Sequence, residues 1–135
     1  MKTYSYILVL ILLTFSCNND DDVQQNTDPT LNGPWSLVNV SGGLIGVNDD
    51  FELGLITWNF NIETSEVTIS NSNAEPVIFD GLASGIYNYE VLSTTGEVSY
   101  VVINSFNYAI TTLSSSQLIL DEGVAADGFL LKFSR

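Results

Sequence analysis

Apolar and polar residues alternate with a period of two in several short runs between residues 54 and 134. In the run ITWNFNI, Ile56, Trp58 and Phe60 share one face, and threonine and asparagine occupy the other. Successive side chains of a strand point to opposite faces, so this alternation is typical of a strand with one buried face. Glycine, asparagine, aspartate and serine divide the runs, as they do in turns. The pattern favours an all-β fold, and no helical stripe competes with it after the first thirty residues.

The runs predict about eight strands, at 35–41, 54–62, 65–70, 84–93, 96–104, 106–113, 116–121 and 128–134. A short ninth strand or edge piece is suggested at 76–80, where Pro76 cannot donate to a ladder. Links such as STTGE and LSSSQ are short enough to join antiparallel neighbours. Closing such a meander removes its exposed edges. We therefore expect an antiparallel up-and-down barrel, with a sandwich as the alternative.

The first sixteen residues have the layout of a secretory signal. Lys2 is followed by an apolar core, Tyr6 to Leu13, and by the small Ser16 just before Cys17. The apolar core is shorter than the ~20 residues that a membrane-spanning helix needs. We therefore predict three parts: a cleaved signal peptide at 1–16, an acidic flexible tether at 17–30 and a folded domain at 31–135.

Residues 13–17, LTFSC, resemble the lipobox of bacterial lipoproteins, whose cysteine is lipidated and becomes the new N-terminus. By this resemblance Cys17 carries the acyl chains, palmitate among them, that hold the protein in a membrane. The alternative is an ordinary buried cysteine. The next charged residues, Asp20, Asp21 and Asp22, resemble the acidic signal that sends some Gram-negative lipoproteins to the cell surface. The alternative is a plain charged linker on an outer-membrane lipoprotein that faces the periplasm.

The folded domain opens on Gly33, Pro34 and Trp35 and ends in DGFLLKFSR. This opening resembles the G-x-W start of lipocalin-like barrels, in which the tryptophan closes the base of the barrel and a basic residue of the last strand lies across it. The resemblance implies that Arg135 packs on Trp35 as a cation–π contact. Small export-associated domains of the META and heat-shock-lipoprotein kind also begin G-x-W and are an alternative relative. The T-D-Y element that many lipocalins carry late in the barrel is missing, because the sequence there reads YAITTLSSSQ.

Charge and composition exclude several classes of function. Without the signal peptide the cations are Lys132 and Arg135, which face sixteen carboxylates and leave a net charge of −14. Neutralising phosphates takes several cations, so we expect no nucleic-acid partner. The chain has no histidine, and its single cysteine is assigned to the lipid, so catalytic triads and imidazole metal sites are excluded.

Carboxylates are the remaining chemical groups. Asp80, Glu90 and Glu97 would serve a glycosidase only at a defined separation, and as polar residues of strands and turns they need no such role. The segments NDDFE at 48–52 and LDEG at 120–123 offer oxygen ligands but lack the spacing of a calcium loop. We therefore predict a protein that is not an enzyme and that uses no metal or cofactor.

Eight aromatic residues fall on the phase that the alternation assigns to the interior: Trp58, Phe60, Tyr87, Tyr89, Tyr100, Tyr108, Phe129 and Phe133. Large rings in a narrow barrel favour a filled core. In the alternative arrangement, a small cavity for an apolar or amphipathic ligand is lined by Trp58, Tyr87, Tyr89, Tyr100 and Tyr108.

Two functions remain open on this evidence. One is an outer-membrane-anchored protein that binds such a ligand. The other is an accessory lipoprotein with a filled barrel that docks on an outer-membrane protein complex. Leu53 and Leu55 lie on the phase opposite to Ile56, which indicates either a bulge at Gly54 or an apolar patch for a partner.

Overall fold

The computed structural model describes residues 30–93 and 99–135. The predictions for the signal peptide, Cys17, Asp20 to Asp22 and the tether concern residues outside these ranges. The described residues form β1 (Gly33–Gly42), β2 (Val47–Asp50), β3 (Ile56–Asn61), β4 (Glu66–Asn71), β5 (Gly85–Leu92), β6 (Tyr100–Ile103), β7 (Phe106–Leu113), β8 (Gln117–Asp121) and β9 (Phe129–Ser134), with a 3₁₀ turn at Val124–Ala126. In these two ranges no helix has the length and apolar character to cross a membrane.

All the strand pairs are antiparallel, and the sheet closes on itself. Strands β3 to β9 pair in chain order, and β9 pairs with one edge of β1. The other edge of β1 pairs with β3 near its start and with β2 near its end. Because β2 and β3 share one position in the ring, the nine strands make an eight-stranded barrel. The predicted antiparallel up-and-down barrel is confirmed, and the two sheets of a sandwich are not formed.

The additional strand lies elsewhere than the sequence suggested. Residues 76–80 form no strand, and the ninth strand is β2, which includes part of the acidic segment 48–52 for which we predicted no strand. The predicted strand at 54–62 begins only at Ile56, because the chain turns at Gly54, where φ is +82°. This turn explains the change of phase: Leu53 is exposed, whereas Leu55 packs against the core.

The interior phase of β6 also differs from the prediction. Val101 and Ile103 are fully buried, and Tyr100, which we assigned to the interior, is exposed. The register places Val101 opposite the buried Tyr108. Four consecutive apolar residues, YVVI, occupy this strand, so alternation alone could not decide which of its faces is buried.

Aromatic rings fill the centre of the barrel. The Trp58 ring lies 5.1 Å from Phe133, 6.0 Å from Tyr108 and 6.4 Å from Phe60, measured between centroids. All four side chains are almost completely inaccessible to solvent. Edge-to-face and tilted contacts at these distances add to the free energy gained by burial. The filled core is therefore the arrangement that the structure adopts.

The barrel has two ends, which we name the base and the tip. The base carries residues 30–32, the turns 62–65 and 114–116, and the chain end at Arg135. The tip carries the turn 43–46, the segment 72–84 and the 3₁₀ turn. At the tip, Phe79 stacks on Phe129 with centroids 4.4 Å apart, and a Cβ on Gly81 would lie 3.2 Å from the Trp58 ring. The segment 72–84 thus packs closely on the core.

Candidate functional site: a pocket at the base of the barrel

Trp35 and Arg135 meet at the base. The guanidinium Cζ of Arg135 lies 3.9 Å from the centroid of the Trp35 ring, which is the contact that the lipocalin-like resemblance implies. The indole Nε1 of Trp35, fully buried, donates a 2.8 Å hydrogen bond to the carbonyl of Leu31. Gly33 lies beside the same group, since a Cβ there would be 3.7 Å from Nη1 of Arg135. These residues stabilise the base and leave the ring of Trp35 inaccessible to a ligand.

A pocket of about 650 Å³ opens beside this contact. We name it the base pocket, and the residues that line it are Leu31, Ile62, Ser65, Tyr89, Glu90, Val91, Ser99, Ile110, Thr111, Thr112 and Leu113. It lies between the ends of β5 and β7. The described part of β6 pairs with β7 as far as Ala109, and the amide of Ile110 donates to the carbonyl of Ser99. Beyond that point described residues of β5 and β7 line the pocket.

The lining is apolar on most of its surface, with a few polar groups. Leucine, isoleucine and valine residues from four segments form the walls, and serine and threonine residues lie among them. The hydroxyl of Thr111 donates to the carbonyl of Ile119. Tyr89, almost fully buried, forms part of the wall and packs edge-to-face on Phe60 with centroids 5.1 Å apart. Burial raises the pKa of the Tyr89 phenol, which therefore stays neutral and able to donate. A volume of this size and this composition are usual for small-molecule sites.

Among the described residues that line the base pocket, Glu90 is the one carboxylate, and there is no lysine or arginine. Glu90 is exposed and shares the outer phase of β5 with Ile86, so its charge lies at the rim of the pocket. The guanidinium of Arg135 is held nearby but is engaged, because it donates to the carbonyls of Thr30, Asn32 and Ser115. An anionic ligand would therefore meet no cation in the pocket.

The five residues predicted to bind a ligand do not come together. Tyr89 lines the base pocket, while Trp58 and Tyr108 are sealed in the core. Tyr87 is half-buried against the core, and its hydroxyl donates to the carbonyl of Ala83. Tyr100 lies on the outside of the barrel, which corrects its predicted place in the interior.

Sequence reasoning missed most of the residues that form the pocket walls. Leu31, Ile62 and Leu113 lie just outside strands or at their ends, where side chains on the interior phase meet the open end of the barrel. A usable signal was the presence of apolar residues at the last interior positions of several strands that finish at the same end. The prediction placed the ligand among the aromatic side chains in the middle of the barrel instead.

Among the residues that the structure describes, two polar atoms in the core have no hydrogen-bond partner, the indole Nε1 of Trp58 and the hydroxyl of Tyr108. Burial, and then the nearby carboxylate of Glu122, raise the pKa of Tyr108 well above its ordinary value. Burial also raises the pKa of Glu122, against the opposing effect of a hydrogen bond from the backbone of Phe129. These groups give the tip side of the core a polar character that its aromatic composition does not suggest.

The carboxylates considered for catalysis are dispersed. Asp80 accepts a hydrogen bond from the side chain of Asn73 in the tip segment, Glu90 lies at the base pocket, and Glu97 falls outside the described residues. In the part of the chain that the structure describes, no three histidine, cysteine, aspartate or glutamate side chains form a group that could hold a metal ion.

Comparisons with known proteins identify no relative: no family model, no curated protein and no solved structure matches this chain. The inference of function therefore depends on the barrel, on the base pocket and on the distribution of charge.

Proposed function

We propose that this protein is an outer-membrane-anchored lipoprotein whose barrel, without catalysing a reaction, binds a small apolar or amphipathic molecule in the base pocket. The observation that carries the proposal is the pocket itself, which combines apolar walls with hydroxyl groups in a volume of about 650 Å³. Because rings fill the centre of the barrel, the ligand binds at the open base and not deep in the interior.

The charges select the class of ligand. A fatty acid or another lipid with an anionic head group would bring its charge towards Glu90 with no cation in the lining to offset it. A neutral amphiphile would donate and accept hydrogen bonds at the serine and threonine hydroxyls, and an amine would also pair with Glu90. The preferred ligand is thus a neutral or cationic amphiphile.

The anchor and the pocket belong to the same end of the barrel in this proposal. Thr30 enters at the base, where its carbonyl accepts a 3.2 Å hydrogen bond from Nη2 of Arg135. Twelve residues separate it from Cys17, and the thirteen Cα-to-Cα steps between them span at most ~45 Å when fully extended. A lipid on Cys17 would therefore keep the base pocket within reach of the bilayer. On a surface-exposed lipoprotein the three aspartates would serve as the export signal, and on a periplasmic one as a plain linker.

Ligand binding is tested by titrating the purified protein with a long-chain alcohol, a long-chain amine and a fatty acid of equal length. Two valines provide a matched pair of variants, since Val91 at the pocket is 47% exposed and Val124 at the tip is 41% exposed. We expect the alcohol and the amine to bind more tightly than the acid. Val91→Glu should weaken binding of the alcohol by roughly tenfold, about 1.4 kcal/mol, while Val124→Glu leaves it unchanged. Absence of binding, or an equal loss in both variants, would contradict the proposal.

The anchor is tested separately by growing cells with radiolabelled palmitate. We expect label on the wild-type protein and none on Cys17→Ala, which should also leave the membrane fraction. Replacing Asp20 to Asp22 with alanine and treating intact cells with protease then distinguishes the two faces of the outer membrane. Loss of surface exposure supports an export signal, and unchanged exposure supports a plain linker.

The accessory role is favoured by one observation, the packing of aromatic rings against one another in the centre of the barrel. A filled barrel that docks on a larger complex needs a surface for the partner. The accessory role predicts that an outer-membrane protein copurifies with the wild-type chain and that the base pocket is dispensable for this association. Copurification lost in Val91→Glu would contradict the second statement.

A further inference from the structure

Large apolar side chains are exposed together at the tip. They come from three separate segments, the turn 43–46, the segment 72–84 and the 3₁₀ turn, and they are 41% to 82% accessible to solvent: Leu44, Ile45, Ile78 and Val124. We name these four residues the tip patch. Single exposed apolar residues are ordinary on a soluble protein, but several from different segments at one end indicate an interaction surface.

The three segments lie next to one another. A groove of about 500 Å³ separates the turn 43–46 from the segment 72–84, and its walls include Ile45 on one side and Val77 and Ile78 on the other. The 3₁₀ turn adjoins the start of the first turn, since a Cβ on Gly42 would lie 3.0 Å from Cγ2 of Val124. The tip patch therefore borders a groove that an apolar side chain of a partner could enter.

Carboxylates surround this surface. Asp49 lines the groove, while Glu52 and Glu75 line an adjoining groove of about 350 Å³. The cations of the described residues lie elsewhere, since Lys132 is on the outer face of β9 and Arg135 is at the base. The electrostatic potential at the tip is therefore negative, and it attracts basic groups and repels acidic ones.

We propose that the tip patch docks a protein partner that presents apolar side chains flanked by lysine or arginine. Apolar residues at the centre of the surface and charges at its rim are the usual anatomy of a protein–protein interface. The acidic rim argues against an anionic lipid surface as the occupant. A second copy of this chain is disfavoured in the same way, because it would bring a second acidic rim into contact with the first. The surface is independent of the base pocket, which lies at the opposite end of the barrel.

The test is a titration of the ¹⁵N-labelled purified protein with a short peptide of alternating leucine and lysine, followed by NMR. Two isoleucines give the matched variants: Ile78 in the tip patch is 61% exposed, and Ile86 on the outside of β5 is 67% exposed. We expect chemical-shift changes at residues 44–46, 77, 78 and 124, weaker binding at high salt, and no binding of the equivalent leucine–glutamate peptide. Ile78→Ser should weaken binding at least about fivefold, and Ile86→Ser should leave it unchanged.

Three results would overturn the proposal. Shift changes spread over the whole acidic surface, with equal affinity in both variants, would show charge attraction without a docking surface. Binding to vesicles containing anionic lipid that Ile78→Ser abolishes would assign the patch to a membrane. A dimer in analytical ultracentrifugation that Ile78→Ser dissociates would assign it to a second copy of the chain.

Discussion

Arg135 lies over the ring of Trp35, with its Cζ 3.9 Å from the ring centroid, and so joins the last residue of the chain to the start of the first strand. The same guanidinium donates to the carbonyls of Ser115, Asn32 and Thr30 at 2.9, 2.8 and 3.2 Å. One side chain thus connects the entering chain, the turn 114–116 and the first strand, and it stabilises the base around the proposed pocket.

Arg135→Ala should lower the free energy of unfolding by about 2 kcal/mol, because it removes both a cation–π contact and a set of charge-assisted hydrogen bonds that are partly exposed to solvent. Arg135→Lys should restore less than half of this loss, since an ammonium cannot reproduce the planar fork. Urea unfolding measures both values. Lys132→Ala, on the outer face of β9, is the control and should change the stability by less than about 0.5 kcal/mol.

Tyr108→Phe should leave the stability unchanged or raise it by up to about 1 kcal/mol. Its hydroxyl is buried without a hydrogen-bond partner, so the substitution removes a desolvated polar atom and keeps the ring that packs on Trp58. Tyr108→Leu, which removes the ring as well, is the contrasting variant and should be strongly destabilising. Thermal unfolding of both variants tests whether the hydroxyl of Tyr108 is buried without a partner. A clear loss of stability in Tyr108→Phe would mean that the hydroxyl has a partner.

Glu122→Gln should stabilise the protein at neutral pH more than at acidic pH. Burial raises the pKa of Glu122 in the folded state above its ordinary value. The folded state therefore retains the proton at a pH at which the unfolded state has lost it, and stability falls as the pH rises from the ordinary glutamate pKa to the raised one. Because glutamine does not titrate, Glu122→Gln does not lose stability over this pH range. Unfolding free energies at pH 3 and pH 7 give the comparison, and an equal difference between variant and wild type at the two values would contradict the shift.

Gly42→Ala should destabilise the protein more than Gly46→Ala, although both residues have positive φ, +108° and +74°. A Cβ on Gly42 would lie 2.6 Å from the carbonyl oxygen of Gly128, whereas a Cβ on Gly46 would meet no atom within 4 Å. Both variants place a Cβ at a positive φ, and +108° lies further from the left-handed region than +74°, so the difference in urea unfolding combines this strain with the steric clash. Equal losses in the two variants would show that the clash is relieved by movement of the 3₁₀ turn.

Much of the fold could be predicted because alternation and turn residues agreed. Strands such as β3 and β4 alternate strictly, and their interior residues, Trp58 and Val67 for example, are fully buried. β6 could not be assigned in this way, since all four of its residues are apolar and only the pairing of Val101 with Tyr108 fixes its face. β2 was missed because its acidic residues lie at a strand edge, where they need no burial.

The site was less predictable than the fold. Interior aromatic residues were identified from their phase, but whether a ring fills the core or borders a pocket depends on how far each strand extends past its neighbour. Tyr89 borders the base pocket while it also packs on Phe60, and its phase does not distinguish it from the fully buried Tyr108. Strand lengths relative to neighbouring strands depend on the closed register of the whole sheet, which no single run of residues encodes.

The central claim is that a ligand binds at the base of a filled barrel. Intermolecular nuclear Overhauser effects between a bound long-chain alcohol and the methyl groups of the protein test it most directly. We expect contacts with Ile62, Val91 and Leu113, which line the base pocket. Contacts with the aromatic rings of Trp58 and Tyr108 in the centre of the barrel, or no contacts at all, would contradict it.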